Sequence, residues 1–261
     1  MTAPLYTSDT CPERAYQLNW SYTLFWHAPP RDEAWLKPLQ SATEPDGIRV
    51  LQHKLTHPTT SQFLISTTPL ISPRLVVQRI KGRLQYILRP KAPNAFQRNY
   101  ALRSVGSANR HAIDAYIASQ LEHHPMADPR VADQFREYQF HDETIDLSEP
   151  SRTSHAIYWY NLHLVFVNDW RYRDIDPSRN EQRLQVIRRT AAKKGHSLSR
   201  IGLLPDHVHF SIRADLEEAP QDIVFGYMNN LAYVVGMKPV LKFSYYVGTF
   251  GEYDLKVIPR A

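Results

Sequence analysis

The chain has one cysteine, Cys11, among 261 residues. An intrachain disulfide is therefore excluded, which suits a reducing cytoplasm, and so is a zinc site built on several thiolates. No run reaches the roughly 18 apolar residues that a transmembrane helix needs. The opening stretch MTAPLYTSDTCPERAYQL lacks a basic segment followed by an apolar core, so no secretory signal is expected. Acid is in mild deficit: 26 Asp and Glu stand against 31 Lys and Arg, giving a net charge of +5. That excess is compatible with a polyanionic partner as well as with an ordinary soluble surface. What the chain does have is aromatic side chains, including 15 Tyr and 5 Trp. Most will be core, but such rings can also stack on unpaired bases.

The richest turn signal lies in the middle, where residues 123–154 carry prolines and acids with little sustained periodicity. This stretch reads as a connection with at most one short helix, dividing the chain into 1–124, a linker 125–154, and 155–261. The flanks look alike. YQLNWSYTLFW (16–26) and AIYWYNLHLVFV (156–167) both read as strands. Each is followed by a helix-compatible stretch, 31–41 and 178–194, then by a paired-strand region, then by a second helix. The first of these helices opens on Ser72-Pro73, a good N-cap and first-turn pair, and the second ends at Gly236, suited to a C-cap. The order strand, helix, paired strands, helix, strand predicts an α+β fold of two tandem ferredoxin-like (RRM-like) domains, with antiparallel sheets and helices on one face.

The halves can be compared position by position. Residues 58–65, PTTSQFLI, align with residues 205–212, PDHVHFSI, at a constant offset of 147. His207 then falls on Thr60 and His209 on Gln62. Residues two apart on a strand share a face, so His207 and His209 project together and Val208 points into the opposite layer. Two neutral imidazoles on one face can form a corner of a divalent-metal site, or simply be two histidines on a solvated sheet. In the first half, SANRHAIDAYIASQLE (107–122) reads as a helix with Tyr116 and Gln120 four apart on one face. A phenol and an amide oxygen so placed can supply a nucleophile and a metal ligand; an amphipathic helix with one buried and one exposed residue has the same spacing.

Together, LLPDHVHFSI, the Tyr-x-x-x-Gln of AYIASQ, and the segments SPRLVVQRIKGRLQYILR and FQRNYALRSVGSANRHAIDAYIASQLEHH resemble the HUH-type single-tyrosine transposases. These include the small single-stranded DNA insertion-sequence enzymes and their REP-associated relatives. The likeness extends over most of the chain, in two copies. It implies that His207 and His209 bind Mg²⁺ or Mn²⁺, that Gln120 completes the site, and that Tyr116 attacks a DNA phosphate to leave a 5′-phosphotyrosine link and a free 3′-OH. It also implies single-stranded DNA, in hairpin or repeat ends, as the partner, and a prokaryotic cytoplasm or nucleoid as the location. Family members pair as dimers in which the tyrosine helix can serve the partner's histidines. Here the first half keeps Tyr116 and Gln120 without histidines, and the second keeps the histidines with no tyrosine helix after them. The expectation is a fused pseudo-dimer with one composite site. Arg74, Arg79, Lys81, Arg83 and Arg89 are candidate contacts to the DNA backbone, or a solvated helix face.

Three other readings stay open. The chain can be a domesticated hairpin or repeat binder without catalysis. It can be an unrelated hydrolase using His207 and His209 with His163 or Asp206. Or Tyr246 or Tyr253 can be the nucleophile, making the second half self-sufficient.

Overall fold

Each long aromatic strand is broken once, and the two pieces go to different sheets. β1 (Glu13–Gln17) and β2 (Asn19–Trp26) part at Leu18. The computed structural model describes residues 3–124, 126, 128–169 and 174–252. From β2 the chain runs through α1 (Leu36–Thr43), β3 (Ile48–His57), β4 (Thr60–Thr67), α2 (Pro73–Leu88) and β5 (Phe96–Val105). The Ser72 hydroxyl accepts from the Leu75 amide and Pro73 fills the first turn of α2, as the Ser-Pro pair predicts. Next come α3 (Arg110–Ala118), α4 (Gln120–His123), α5 (Pro129–Arg136), β6 (Gln139–His141) and β7 (Ser151–Arg152). The second aromatic stretch splits at Tyr160 into β8 (Ala156–Trp159) and β9 (Asn161–Val167). It is followed by α6 (Pro177–Lys194), β10 (Ser197–Leu203), β11 (His207–Arg213), α7 (Pro220–Val234) and β12 (Ser244–Phe250).

The result is a mixed α+β structure with two six-stranded sheets. Their orders are β3-β4-β2-β5-β8-β7 and β1-β12-β9-β11-β10-β6. Both contain the same four-strand kernel, and both are extended by a parallel strand from the other half. β1 crosses to pair Ala15 with Tyr246 of β12, and β8 crosses to pair Ile157 with Ala101 of β5. The registers repeat as well. Ser21 stands between Leu64 and Arg103, and His163 stands between Ser211 and Gly248. Thr23 stands between Gln62 and Ala101, as Val165 does between His209 and Tyr246. Lys54 faces Gln62 just as Gly202 faces His209.

Reciprocal hydroxyl bridges hold the junction. Ser104 Oγ donates to the Phe250 carbonyl and accepts from the Asn161 amide. Thr249 Oγ1 donates to the Val105 carbonyl, 2.7 Å, and accepts from the Asn19 amide, 2.8 Å. The two hydroxyls act in matching ways on either side of the junction. They satisfy buried backbone groups where the strands change sheets.

Alternation then assigns the faces. In β11, Val208, Phe210 and Ile212 are buried against α6 and α7, meeting Leu184, Ile187, Val224 and Tyr227. In β4, Phe63 and Ile65 play the same part beneath Val76 and Ile80 of α2. Each buried aliphatic side chain contributes roughly 1.5–3 kcal/mol, so the helix-covered faces hold the fold and the opposite faces are free to carry chemistry.

Beyond the two broken strands, the segments depart from the sequence reading in two further places. The stretch 125–154 holds α5, β6 and β7, and β6 adds an edge strand to β10. Three residues around Phe140 suffice for that, too few to show as a period in sequence. The helix read over 107–122 is interrupted at Ser119, so Gln120 begins α4 instead of extending α3.

Candidate active site

The site forms where α3, from the first half, lies on the free face of the second half's sheet. Asn109 caps α3 by accepting from the Ala112 amide and also bridges to Gly251, while the Arg110 amide donates to the Gly251 carbonyl. The start of the helix is thus tied to the end of β12. Further along, Ile117 is fully buried against β10. Gly202 makes this approach possible: a Cβ there would stand 3.0 Å from Ile117 Cγ2 and 3.1 Å from the Ile117 carbonyl oxygen. A glycine where two backbones close on each other is a steric requirement, here without any need for positive φ.

This docking brings the predicted residues together. The Tyr116 ring stands edge-on to His209 at 5.4 Å and to His163 at 6.1 Å between centroids. Tyr116 is 45% exposed, so its ring reaches solvent and a bound strand alike. Gln120 is completely buried. Its Nε2 donates to the Tyr116 carbonyl at 2.9 Å, and its Oε1 is buried with no hydrogen-bond partner. His124, one turn further, meets the His207 ring at 5.0 Å.

The histidines are held by neighbours. His207 Nδ1 bonds Asp206 Oδ1 at 2.7 Å, and His209 Nδ1 bonds His163 Nε2 at 3.0 Å. If Nδ1 carries the proton on each of the pair, both Nε2 lone pairs are free; a carboxylate behind a ligating imidazole fixes that tautomer. Burial pushes His163 down to about 4, and burial with the neighbouring imidazoles pushes His209 lower still. Both are neutral at pH 7, as metal ligation requires.

Unfolding releases these imidazoles to their ordinary range near 6.5, so the unfolded chain binds more protons below that pH. Stability is expected to be full above about pH 6.5 and to fall as pH drops toward 4, by up to about 1.4 kcal/mol per pH unit for each histidine. Thermal melts between pH 8 and 4.5 check this. His163→Ser, which installs the residue that Ser21 supplies in the other sheet, should flatten the decline.

Among the described residues, no three His, Cys, Asp or Glu side chains are grouped to hold a metal ion. The donor set to test is therefore two imidazole nitrogens and one amide oxygen. The unpartnered Oε1 of Gln120 fits it, since a buried acceptor left unpaired costs about 1–3 kcal/mol. A hard divalent cation would still need oxygens from water or phosphate.

Sequence reasoning named Tyr246 only as an alternative nucleophile and His163 and Asp206 only as partners in a hydrolase; it missed how they pack around the histidine pair, and it missed His124. Tyr246 lies beside His163, 5.8 Å between ring centroids, and its side chain covers Gly248. A Cβ on Gly248 would collide with the Tyr246 ring and hydroxyl. Burial, then the nearby Tyr116, raises the Tyr246 phenol. At the matching register the first half has Ala101 and Arg103, so ring and vacant neighbour are lost together. Likewise Gln62 Nε2 donates to Ser21 Oγ at 2.7 Å, in the place of the His209–His163 bond. His163 thus backs His209, which differs from the ligand role it has in the hydrolase reading. Tyr253 lies outside the described residues. His124 had a signal, as it continues the four-residue spacing of Tyr116 and Gln120.

The basic candidates on α2 are only partly free. Arg74 pairs with Glu217 and Arg83 with Asp46. Lys81 donates to the Gln97 and Arg98 carbonyls beside the Phe96 and Tyr100 rings. Arg79 and Arg89 are exposed.

Residues 156–260, which carry both site histidines, match the family of IS200-like (Y1) transposases. The second half is thus similar to an IS200-like transposase domain. Tyr116 and Gln120 precede the matched stretch. Among solved structures, a proposed transposase from Deinococcus radiodurans R1 is 18% identical, with 41% of this chain and 92% of that one covered at a TM-score of 0.32. A protein from Galdieria sulphuraria is 9% identical, covering 89% of this chain and 97% of that one, at 0.22. A microcompartment protein from Desulfitobacterium hafniense is 14% identical, covering 88% and 93%, also at 0.22. Likeness at these TM-scores carries no functional weight. No curated protein matches the chain.

Proposed function

We propose that the chain is a fused pseudo-dimer of two ferredoxin-like halves that cleaves and rejoins single-stranded DNA in one composite active site. The observation that carries this reading is the contact of Tyr116, on the first half's helix, with His209 on the second half's strand. Repeated registers and reciprocal hydroxyl bridges support the pseudo-dimer, because one chain supplies both sides of the junction.

In the proposed reaction the Tyr116 oxygen attacks a DNA phosphorus. The bond from phosphorus to the 3′-oxygen breaks, the 5′-phosphate stays on the tyrosine, and the 3′-oxygen leaves as a hydroxyl. The phenol proton passes to solvent, to which the half-exposed ring is open, and solvent water supplies the proton that the leaving 3′-oxygen takes up. The link conserves phosphodiester energy, so a 3′-OH can reverse the step and join strands. His207, His209 and Gln120 would hold Mg²⁺ or Mn²⁺, which when bound supplies charge stabilisation at the phosphate oxygens. Asp206 and His163 orient the imidazoles, and Gln120 Nε2 ties the metal-side amide to the Tyr116 backbone. Hairpin or repeat ends are the proposed substrates.

The test uses the full chain, Mn²⁺ and a pool of hairpin-bearing single-stranded oligonucleotides labelled at either end. Expected is a denaturation-resistant adduct that keeps the label of the 3′ fragment, whose 5′-phosphate is on the protein, together with a released 5′ fragment ending in a 3′-OH. Tight binding with no adduct would leave the binder reading. Free fragments with no adduct would point to hydrolysis.

A further inference from the structure

The register that places the histidines on one sheet also defines the matching face of the other. That face, formed by β2, β3, β4, β5, β7 and β8, has lost the catalytic groups: Thr60, Gln62, Ser21 and Ala101 stand where the second half has His207, His209, His163 and Tyr246. It has gained cations. Lys54 takes the place of Gly202, and Arg103 that of Gly248. Arg49 pairs across to Ser66 and Arg152 to Ile157, which puts both on the same side, although Arg49 is already ion-paired to Glu44 at 3.0 Å. None of the six strands contains an aspartate or glutamate.

Two details show more than a charged surface. The Arg103 guanidinium lies over the Trp159 ring, 4.2 Å from its centre, which orients the cation and leaves a flat platform. The Lys54 ammonium is shielded from solvent and has no hydrogen-bond partner, although the residue as a whole is half-buried. A shielded donor without an acceptor is costly, and an anionic oxygen would relieve it. Lysine at this position also bars a tyrosine helix from docking as α3 does over Gly202.

We infer that this face is a second, non-catalytic contact for single-stranded DNA, in which Lys54 and Arg103 take backbone phosphates of the strand processed at the composite site. The inference rests on the DNA-cleaving reading for its occupant. Its energetics need only a flexible polyanion: a cationic sheet whose strands hold no carboxylate, with an oriented guanidinium, suits a single strand, and neither Lys54 nor Arg103 has a geometric reason to prefer one base. Loss of the second active site is then accompanied by gain of a holding surface.

The experiment measures binding of a 30-nucleotide oligo-dT by fluorescence anisotropy over a salt series, with EDTA present so that no cleavage intervenes. The double variant Lys54→Gln/Arg103→Gln should bind about tenfold or more weakly, with a salt slope reduced by roughly 1.4, as two single-strand phosphate contacts require. Unchanged affinity and slope in a variant that melts like the parent would overturn the inference. So would an equal loss from Arg189→Gln/Lys193→Gln, two exposed cations on α6, since general charge attraction would then explain both. Single variants Lys54→Gln and Arg103→Gln keep the test usable should the double variant fail to fold. Adduct formation reports separately: adduct without dependence on Lys54 and Arg103 defeats this inference alone, and dependence without adduct defeats only the cleavage chemistry.

Discussion

Tyr116→Phe should abolish the covalent protein–DNA adduct, with a loss of at least about 10³-fold in cleavage, because the substitution removes the one oxygen that would bond to phosphorus. Affinity for DNA should change less than about twofold. The ring stays, so its edge contacts with His209 and His163 stay, and its half-exposed position makes the phenylalanine easy to accommodate. Thermal stability should move by less than about 0.5 kcal/mol, as for surface substitutions generally. The comparison variant is Tyr246→Phe. That hydroxyl is pushed away from ionisation by burial and by Tyr116, which makes it the poorer nucleophile of the two. An adduct that survives Tyr116→Phe and disappears in Tyr246→Phe would reverse the assignment and make the second half self-sufficient. Gel separation of the adduct, with peptide mapping of the attached nucleotide, distinguishes the outcomes.

Gly202→Val should have the second large effect, and it acts through position instead of chemistry. Even a Cβ meets Ile117 at 3.0 Å and its carbonyl at 3.1 Å, so the two further methyl groups must displace α3. Overpacking of this kind costs typically 1–3 kcal/mol. Because Tyr116 precedes Ile117 on the same helix, a shift of about 1 Å at the contact moves the nucleophile relative to the histidines, and misplacement on that scale costs about 10² in rate. Adduct formation should therefore fall about a hundredfold while the cooperative melt and oligo-dT binding persist. Gly82→Ala is the control. Nothing lies within 4 Å of a Cβ at Gly82, in the interior of α2, so alanine there should leave activity alone and raise stability by up to about 1 kcal/mol. Full activity in Gly202→Val would show that the docking of α3 is not what assembles the site.

The elements with strong local signals were legible. Ser72-Pro73 announced α2, and the His-Val-His alternation announced a strand with one chemical face and one core face. Periodicity failed where tertiary contact overrode it. Leu18 and Tyr160, at the breaks, are buried, and each is followed by a buried asparagine, Asn19 and Asn161, a polar mark that does not by itself reveal a change of sheet. The breaks exist because each strand changes partners between two sheets. The edge strand at Phe140 was too short to carry a period, and the interruption at Ser119 follows from helix docking.

The sequence by itself determined which half holds which chemical groups: Tyr116 and Gln120 in one, His207 and His209 in the other, with Thr60 and Gln62 as the empty counterparts. Those facts are one-dimensional, since type and spacing suffice to state them. Only the tertiary structure decided that these groups meet. That meeting depends on Gly202 opening a path for Ile117, on Gly248 leaving room for Tyr246, and on strands that cross from one sheet to the other. Glycine in a strand gives no sign of which distant backbone will come near it, because close approach is a property of the packed pair and not of either segment.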